Sequence, residues 1–340
     1  MPQILTTLSK LPMWINKNYP QHKIAIISDS NAKKFCWKRL EKALRECRQK
    51  KVWISFPAGE KRKNLKTVEK ICEKLFRKNC GRDTLVLAFG GGITGDIAGF
   101  VAAIYMRGLP FVQIPTTLLA MVDSSIGGKT GVDTNFGKNL LGAFYQPKAI
   151  FTDIIFLKTL PKKECENGLI ESLKMFLTMD AKAAQKWQKN KKDLTWLIKK
   201  SIDLKCAVTK NDFNENGQRA VLNWGHTIGH ALEKLSKFTM SHGHAVGLGM
   251  IWESQIAMNK KILNLADFLL IKKLLKGLGV HENELKNVDV SMLIKTIKTD
   301  KKNRDGKIRM VMIKKIGEVL HTKNDWTMEI RPEEIKPIKL

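Results

Sequence analysis

Residues 84–99 read TLVLAFGGGITGDIAG, and the order of residue types in this stretch decides the fold. Thr84 to Phe89 is a short apolar run without polar alternation, the pattern of a strand buried on both faces. It opens directly onto Gly90, Gly91 and Gly92, and a helical pattern follows. Gly90, Gly92 and Gly95 satisfy GxGxxG between strand and helix, where exposed N–H groups and the helix dipole suit a pyrophosphate. A standard dinucleotide unit also wants an acid at the end of the next strand to hold a ribose. Here Phe111 to Ile114 runs into Pro115, Thr116 and Thr117 instead, so a dinucleotide is expected to bind in a variant way.

Upstream, Ile24 to Ser28 and Val52 to Phe56 read as further strands. Leu65, Val68, Cys72, Leu75 and Phe76 mark one helical face, with Gly81 stopping that helix. Strands alternating with helices predict a parallel sheet with crossover helices. Beyond about residue 150 the strand signals fade, and helical patterns cover roughly 161–180, 184–210, 220–235 and 243–260. Lys307 to Ile313 (KIRMVMI) reads as a late strand. The expected organisation is an α/β nucleotide-binding domain over residues 1–160 and a mainly α-helical domain over 161–340, without internal repeats or a low-complexity linker.

The segment GGKTG at 127–131 resembles a phosphate-binding loop, but GxxxxGK[ST] requires glycine where Asp123 stands, which excludes that reading. What remains is Asp123, Lys129, Lys138 and Asn139 on glycine-rich loops, and paired lysines between such turns suit an anionic ligand.

Composition narrows the function classes. Lys and Arg number 60 against 32 acids, a net charge of +28 that would raise nucleic acid as a partner. Yet residues 85–150 carry only Arg107, Lys129, Lys138 and Lys148 against Asp96, Asp123 and Asp133, so the excess lies on helix-like surface such as AKAAQKWQKNKKD at 181–193. No nucleic-acid module signature is present, and no nucleic-acid partner is expected. Six cysteines without a CxxC pair fit reduced thiols in a cytoplasm. The N-terminus lacks the pattern of a secretory signal, and the 15 uncharged residues between Arg107 and Asp123 fall short of the roughly 20 that a spanning helix needs.

Four of the seven histidines, His226, His230, His242 and His244, fall within 19 residues. Asn223, His226 and His230 stand at i, i+3 and i+7, one helical face, and spacing alone selects His226 and His230 as a metal-ligand pair completed by a carboxylate. Glu171 in GLIESLKM is a candidate for that carboxylate. Lys174 lies one turn along; the pair reads equally as a surface ion pair or a buried functional one.

Together the strings GGGITGDIAGF, PTTLLAMVDSSIGGKTGVDTNFGKNLLGAFYQPKAI, FLKTLP, GLIESLK, RAVLNWGHTIGHALE and HGHAVGLGM closely resemble the 3-dehydroquinate synthases, sugar phosphate cyclases of the shikimate pathway. The resemblance spans nearly the whole chain. It implies a cytoplasmic homodimeric enzyme with NAD on the N-terminal domain, a divalent metal (zinc or cobalt) on the C-terminal one, and an active site between them. It assigns the metal to Glu171, His226 and His242, replacing the spacing-only choice of His230. It places Asp29, Glu60, Lys63, Gly92, Ile93, Thr94, Gly95, Asp96, Thr116, Thr117, Lys129, Lys138, Phe156, Leu157, Lys158 and Thr159 around NAD. Asp123, Lys129, Lys138, Asn139, Lys174, Lys205, Arg219, Asn223 and His230 are implied to face a phosphorylated sugar acid, with Arg107 reaching from a partner subunit and a further lysine at Lys301 or Lys302. The implied reaction is a phosphate-eliminating lyase step, with NAD reduced and reoxidised in each turnover. Other sugar phosphate cyclases and metal-dependent alcohol dehydrogenases of the glycerol dehydrogenase type are the alternatives. One departure stands out: HGHAV puts His244 where the family commonly has glutamate.

Overall fold

The structure is a computed structural model that describes residues 2–190, 193–298, 307–323 and 325–337. The chain divides into two compact units, Met1–Cys165 and Glu166–Leu340.

The first unit is built on six parallel strands, β1 (Gln3–Leu5), β2 (Lys23–Asp29), β3 (Lys51–Phe56), β4 (Thr84–Gly90), β5 (Phe111–Pro115) and β8 (Ala149–Phe151). Their spatial order is β1-β8-β5-β4-β2-β3. The stretch that decided the reading is the centre of this sheet: every residue of β4 is buried. The helices α1 (Leu11–Asn18), α2 (Ser30–Leu44), α3 (Leu65–Arg77) and α4 (Gly92–Ile104) alternate with the strands. On one face Ala25, Ile27, Ile54, Val86 and Ala88 meet Val68, Ile71, Leu75, Ile97 and Val101 in a continuous apolar core. Between β5 and β8 an antiparallel hairpin intervenes, β6 (Lys129–Thr134) and β7 (Gly137–Phe144).

The connection leaving β2 runs towards β3, whereas the one leaving β4 runs towards β5, so the chain reverses direction across the sheet between β2 and β4. In open parallel sheets the carboxyl ends of strands at such a switch point frame the ligand crevice.

Two details of α3 correct the periodicity reading. Val68, Ile71 and Leu75 are its buried apolar positions, while Leu65 and Phe76 are exposed, because at 3.6 residues per turn both fall to one side of the face carried by Thr67, Val68, Ile71 and Leu75. The chain leaves the helix through Asn79 at φ +53°, two residues before the expected stop at Gly81. Asparagine can take the left-handed turn that more often selects glycine.

The second unit is mainly helical. Helix α5 (Lys162–Met179) leads into α6 (Ala181–Lys189), α7 (Leu194–Asn211), α8 (His226–Leu235), α9 (His242–Asn259), α10 (Leu265–Lys276) and α11 (Val290–Lys298). The pattern expected over 184–210 is thus two helices, each capped by an aspartate, Asp180 and Asp193. The late strand expected over 307–313 is broken. β9 (Arg309–Met310) pairs with β12 (Met328–Glu329), and β10 (Ile313–Lys315) pairs with β11 (Glu318–Val319). Two short antiparallel partners thus replace one long one. All six cysteines are free thiols, and among the described residues no helix is long and apolar enough to cross a membrane.

Candidate functional site

Each unit carries a polar cluster. In the first, the turn after β4 is shaped by close approach. A Cβ on Gly90 would stand 2.5 Å from Thr94 Oγ1 and 2.8 Å from Asp29 Oδ2, and one on Gly95 would stand 2.8 Å from Gln113 Oε1. No side chain caps α4, whose N-cap is Gly91, so the N–H groups of its first turn, Gly92, Ile93 and Thr94, are offered outward. Asp29 ends β2; its Oδ1 accepts from the backbone of Asn31 and Ala32 at the start of α2, and its Oδ2 accepts from Thr94 Oγ1 at 2.6 Å. The two strand ends at the switch point are thereby tied together.

Around this turn the charges pair. Lys63 Nζ lies 2.6 Å from Asp96 Oδ2 and 2.5 Å from Asn139 Oδ1, and Lys138 Nζ lies 3.2 Å from Glu60. Burial opposes the charge on Lys63, but Asp96, Asp133 and Glu60 outweigh it and raise its pKa. Asn139 stands at φ +54° with its N–H donating to Asp133 Oδ1 at 2.8 Å. Thr116 N–H donates to the Gly90 carbonyl, and Thr117 Oγ1 accepts from Ala120 N–H. Asp123 lies in the π-helical turn Ala120–Ser124, Lys129 opens β6, and Arg107 takes φ +65° at the end of the 3₁₀ turn Tyr105–Arg107. Phe156, Leu157, Lys158 and Thr159 share the 3₁₀ segment Ile154–Thr159, with the Phe156 ring 5.6 Å from that of Phe89 on β4.

In the second unit, three helices converge. Glu171 on α5 is fully buried, and its Oε1 lies 3.5 Å from Nε2 of both His226, the first residue of α8, and His242, the first residue of α9. One ligand atom from each of the three falls within 4.8 Å of the others, a set able to hold a metal ion. The second ring nitrogens are oriented. His226 Nδ1 meets the Trp224 carbonyl at 3.2 Å, and His242 Nδ1 meets Glu233 Oε2 at 3.4 Å. Such outer partners fix a ligating imidazole's tautomer and aim. Burial disfavours the imidazolium of His242, but Glu171 and Glu233 overcome this and push its pKa up to about 9.

Glu171 and Lys174 are a buried pair, Oε2 to Nζ 2.5 Å, so the surface-pair alternative fails. His230 belongs to a second group able to hold a metal ion, with Glu233 and His242, and its ring centroid is 5.3 Å from that of His226. The single helical face expected for Asn223, His226 and His230 is not formed. Asn223 ends a separate 3₁₀ turn, Gln218–Asn223, and Gly225 at φ +79° turns the chain before α8 begins. Lys205 is buried on α7, Arg219 Nη1 donates to the Phe213 carbonyl at 2.5 Å, and Asn223 Nδ2 donates to Glu215 Oε1 at 2.9 Å. Lys301 and Lys302 lie outside the described residues.

Sequence reasoning missed Glu215, Glu233 and Asn167. Glu233 stands three and seven residues after His230 and His226 on α8, a spacing that could have found it. Asn167, one turn before Glu171, accepts from Gly243 N–H through Oδ1 at 3.2 Å, and a Cβ on Gly243 would stand 2.5 Å from Asn167 Cα. This contact registers the helix carrying His242 against the one carrying Glu171. His244 points elsewhere, its Nε2 2.8 Å from Glu284 Oε2.

Comparison with known proteins matches the same two halves of the chain. The 3-dehydroquinate synthase N-terminal family matches residues 53–167 and the corresponding C-terminal family residues 165–303. A 3-dehydroquinate synthase of Campylobacter concisus is 40% identical over 329 residues, covering 93% of this chain and 92% of its own. That of Caldanaerobacter subterraneus subsp. tengcongensis is 38% identical over 314 residues, covering 90% and 88%. Among solved structures, 2-deoxy-scyllo-inosose synthase in complex with carbaglucose-6-phosphate, NAD+ and Co2+ superposes with a TM-score of 0.87 at 25% identity, covering 98% of this chain and 94% of its own. With its two polar clusters in the two matched halves and near-complete coverage of relatives at about 40% identity, the chain belongs to the 3-dehydroquinate synthase family of enzymes.

Proposed function

We propose that the protein converts 3-deoxy-D-arabino-heptulosonate 7-phosphate into 3-dehydroquinate and phosphate, a carbon–oxygen lyase reaction with NAD reduced and reoxidised within each turnover. The observation that carries this reading is the gathering of Glu171, His226 and His242 within 4.8 Å, each from a different helix. The donor set suits a divalent ion: one carboxylate and two imidazoles leave open positions, and both histidines are held so that Nε2 faces Glu171. The first unit fits the dinucleotide, since the uncapped start of α4 offers backbone N–H groups beside glycines that leave no room for side chains.

When bound, the metal would supply a Lewis acid that eases loss of the proton from a substrate hydroxyl and of hydride from the carbon bearing it, and NAD would supply the hydride acceptor. The chain's own residues bind and orient. Lys129, Lys174 and the partner-reaching Arg107 neutralise the phosphate and Asn139 orients it, while Lys138, Lys205 and Arg219 pair with carboxylate and hydroxyl groups. Lys174 is held by Glu171, which fixes its ammonium and draws part of the carboxylate's charge. Glu215 accepts from the Asn223 amide nitrogen, which fixes the orientation of that side chain. The remaining steps, ring opening and carbocycle closure, ask mainly for a fixed substrate conformation.

The homodimer belongs to the same proposal. Leu140, Leu141 and Phe144 are exposed along β7, an outer strand paired on one side with β6 among the described residues, and such an apolar edge favours a second copy. Sedimentation analysis would read this directly. The free thiols support a reducing cytoplasm. The central test is phosphate release from the heptulosonate phosphate with catalytic NAD, with and without a chelator. We expect phosphate without net NADH, abolished by the chelator; NADH accumulation without phosphate would favour an alcohol dehydrogenase.

A further inference from the structure

Glu253 on α9 is fully buried, and the reaction as proposed gives it no task. Its Oε2 accepts from Gly225 N–H at 2.6 Å and its Oε1 from Ile228 N–H at 3.2 Å, so both oxygens face the start of α8. Two oxygens accepting from two backbone N–H groups is the pattern of an ionised carboxylate. Helix packing makes the reach possible: a Cβ on Gly229 of α8 would stand only 3.0 Å from the Ala245 carbonyl and Val246 Cα of α9.

The Gly225 N–H belongs to the same peptide unit as the Trp224 carbonyl, and that carbonyl holds His226 Nδ1 at 3.2 Å. One planar peptide therefore stands between a buried carboxylate and a ligand imidazole, N–H towards the first and C=O towards the second. His242 has a carboxylate directly on its Nδ1, that of Glu233. There is also a charge to offset. His226 and His242 are the first residues of their helices, and neither N-cap residue, Gly225 or Ser241, caps its helix with its own side chain. Each N-terminus carries a partial positive charge, which is unfavourable beside a bound dication.

Resting on the metal centre proposed above, we infer that Glu253 is a positioning residue of that centre, acting on His226 through the Trp224–Gly225 peptide. The carboxylate polarises the peptide, the peptide carbonyl keeps the proton on His226 Nδ1 and so frees Nε2, and the negative charge offsets the start of α8.

The test compares zinc affinity, by competition with a chromophoric chelator, in the unaltered protein, Glu253→Gln and Phe268→Leu. The last truncates a buried residue of α10, a helix that carries none of the site residues, and so reports what lost stability alone does. Glu253→Gln keeps the shape but loses the charge and one acceptor. We expect it to bind zinc about 10- to 100-fold more weakly, the scale for outer partners of ligating histidines. Its cobalt-loaded form should show a shifted visible spectrum, while Phe268→Leu lowers Tm but changes neither readout. Zinc affinity in Glu253→Gln within about threefold of the unaltered protein with an unchanged cobalt spectrum, or an equal loss in Phe268→Leu, overturns the inference and leaves the metal centre standing. Failure of the unaltered protein to take up zinc at all overturns both.

Discussion

The two polar clusters balance their charge in opposite ways. Around the turn after β4, cations alternate with acceptors: Lys63 lies between Asp96 and Asn139, and Lys138 is beside Glu60. What that region holds out is the backbone N–H groups at the start of α4, beside glycines too closely packed to carry a side chain. In the second unit carboxylates crowd together, with Glu171, Glu233 and Glu253 close to two helix starts, and His242 answers by holding a proton to about pH 9. The proton stands where the other region needs none. The first arrangement suits an anion such as a pyrophosphate, and the second a cation, so one chain carries two sites of opposite preference that can be broken separately.

The largest break is in the second cluster. Glu171→Ala or His226→Ala removes one of three donors, and we expect loss of bound zinc together with a fall in kcat of about 1000-fold or more, the several kcal/mol that Lewis-acid assistance contributes. Elemental analysis beside turnover checks this; full zinc content in either variant removes that residue from the ligand set. A smaller break is available in the first cluster. Gly90→Ala drives a Cβ towards Thr94 and Asp29, and overpacking of this kind costs about 1–3 kcal/mol. A raised KM for NAD with unchanged zinc content is the expected outcome, and loss of zinc would show the two clusters to be coupled.

Acidity separates the clusters further. The His242 pKa of about 9 lies above the ordinary 6.5, so in the metal-free protein its charged pairing with Glu171 and Glu233 stabilises fully below about pH 6.5 and is lost as pH rises through 9. The same proton must leave before zinc binds. Zinc affinity is therefore expected to rise by about tenfold from pH 7 to pH 8, one proton per ion, and to level off above 9. Dinucleotide affinity measured over the same range should not follow that slope.

How far the sequence could be read depended on whether a feature was local. The strand–glycine–helix order of residues 84–99 is contiguous, and it sits at the centre of the sheet as expected. Long-range features escaped. Leu65 and Phe76 share an apolar stripe on α3 with Val68 and Leu75, yet the face that packs is turned towards Thr67 and Ile71, a choice set by the surface the helix meets and not by the helix alone. His226 and His230 are neighbours on one helix, whereas Glu171, His226 and His242 gather from three helices and His230 joins a second metal-competent group with Glu233 and His242, so the part played by His242, which the resemblance named, is not legible in helical spacing. Asn223 left the expected face because Gly225 turns the chain at φ +79°. The buried state of Glu171 and Lys174 was undecided in sequence because an i, i+3 ion pair reads the same on a surface.

The smallest effect is expected where the sequence departs from its family. His244 follows His242 by two residues, but on a helix that offset turns the side chain to another face, and its Nε2 meets Glu284 at 2.8 Å. With side chains 26% and 40% exposed, this pair is well screened by solvent, and exposed pairs contribute about 0–1 kcal/mol. Replacing His244 by alanine should therefore change stability by no more than about 1 kcal/mol and leave zinc affinity unaltered. A chelator titration of His244→Ala decides the matter: a loss as large as that expected for Glu253→Gln would place His244 in the support of the centre, and would mean that two faces of the first turn of α9 act on the metal rather than one.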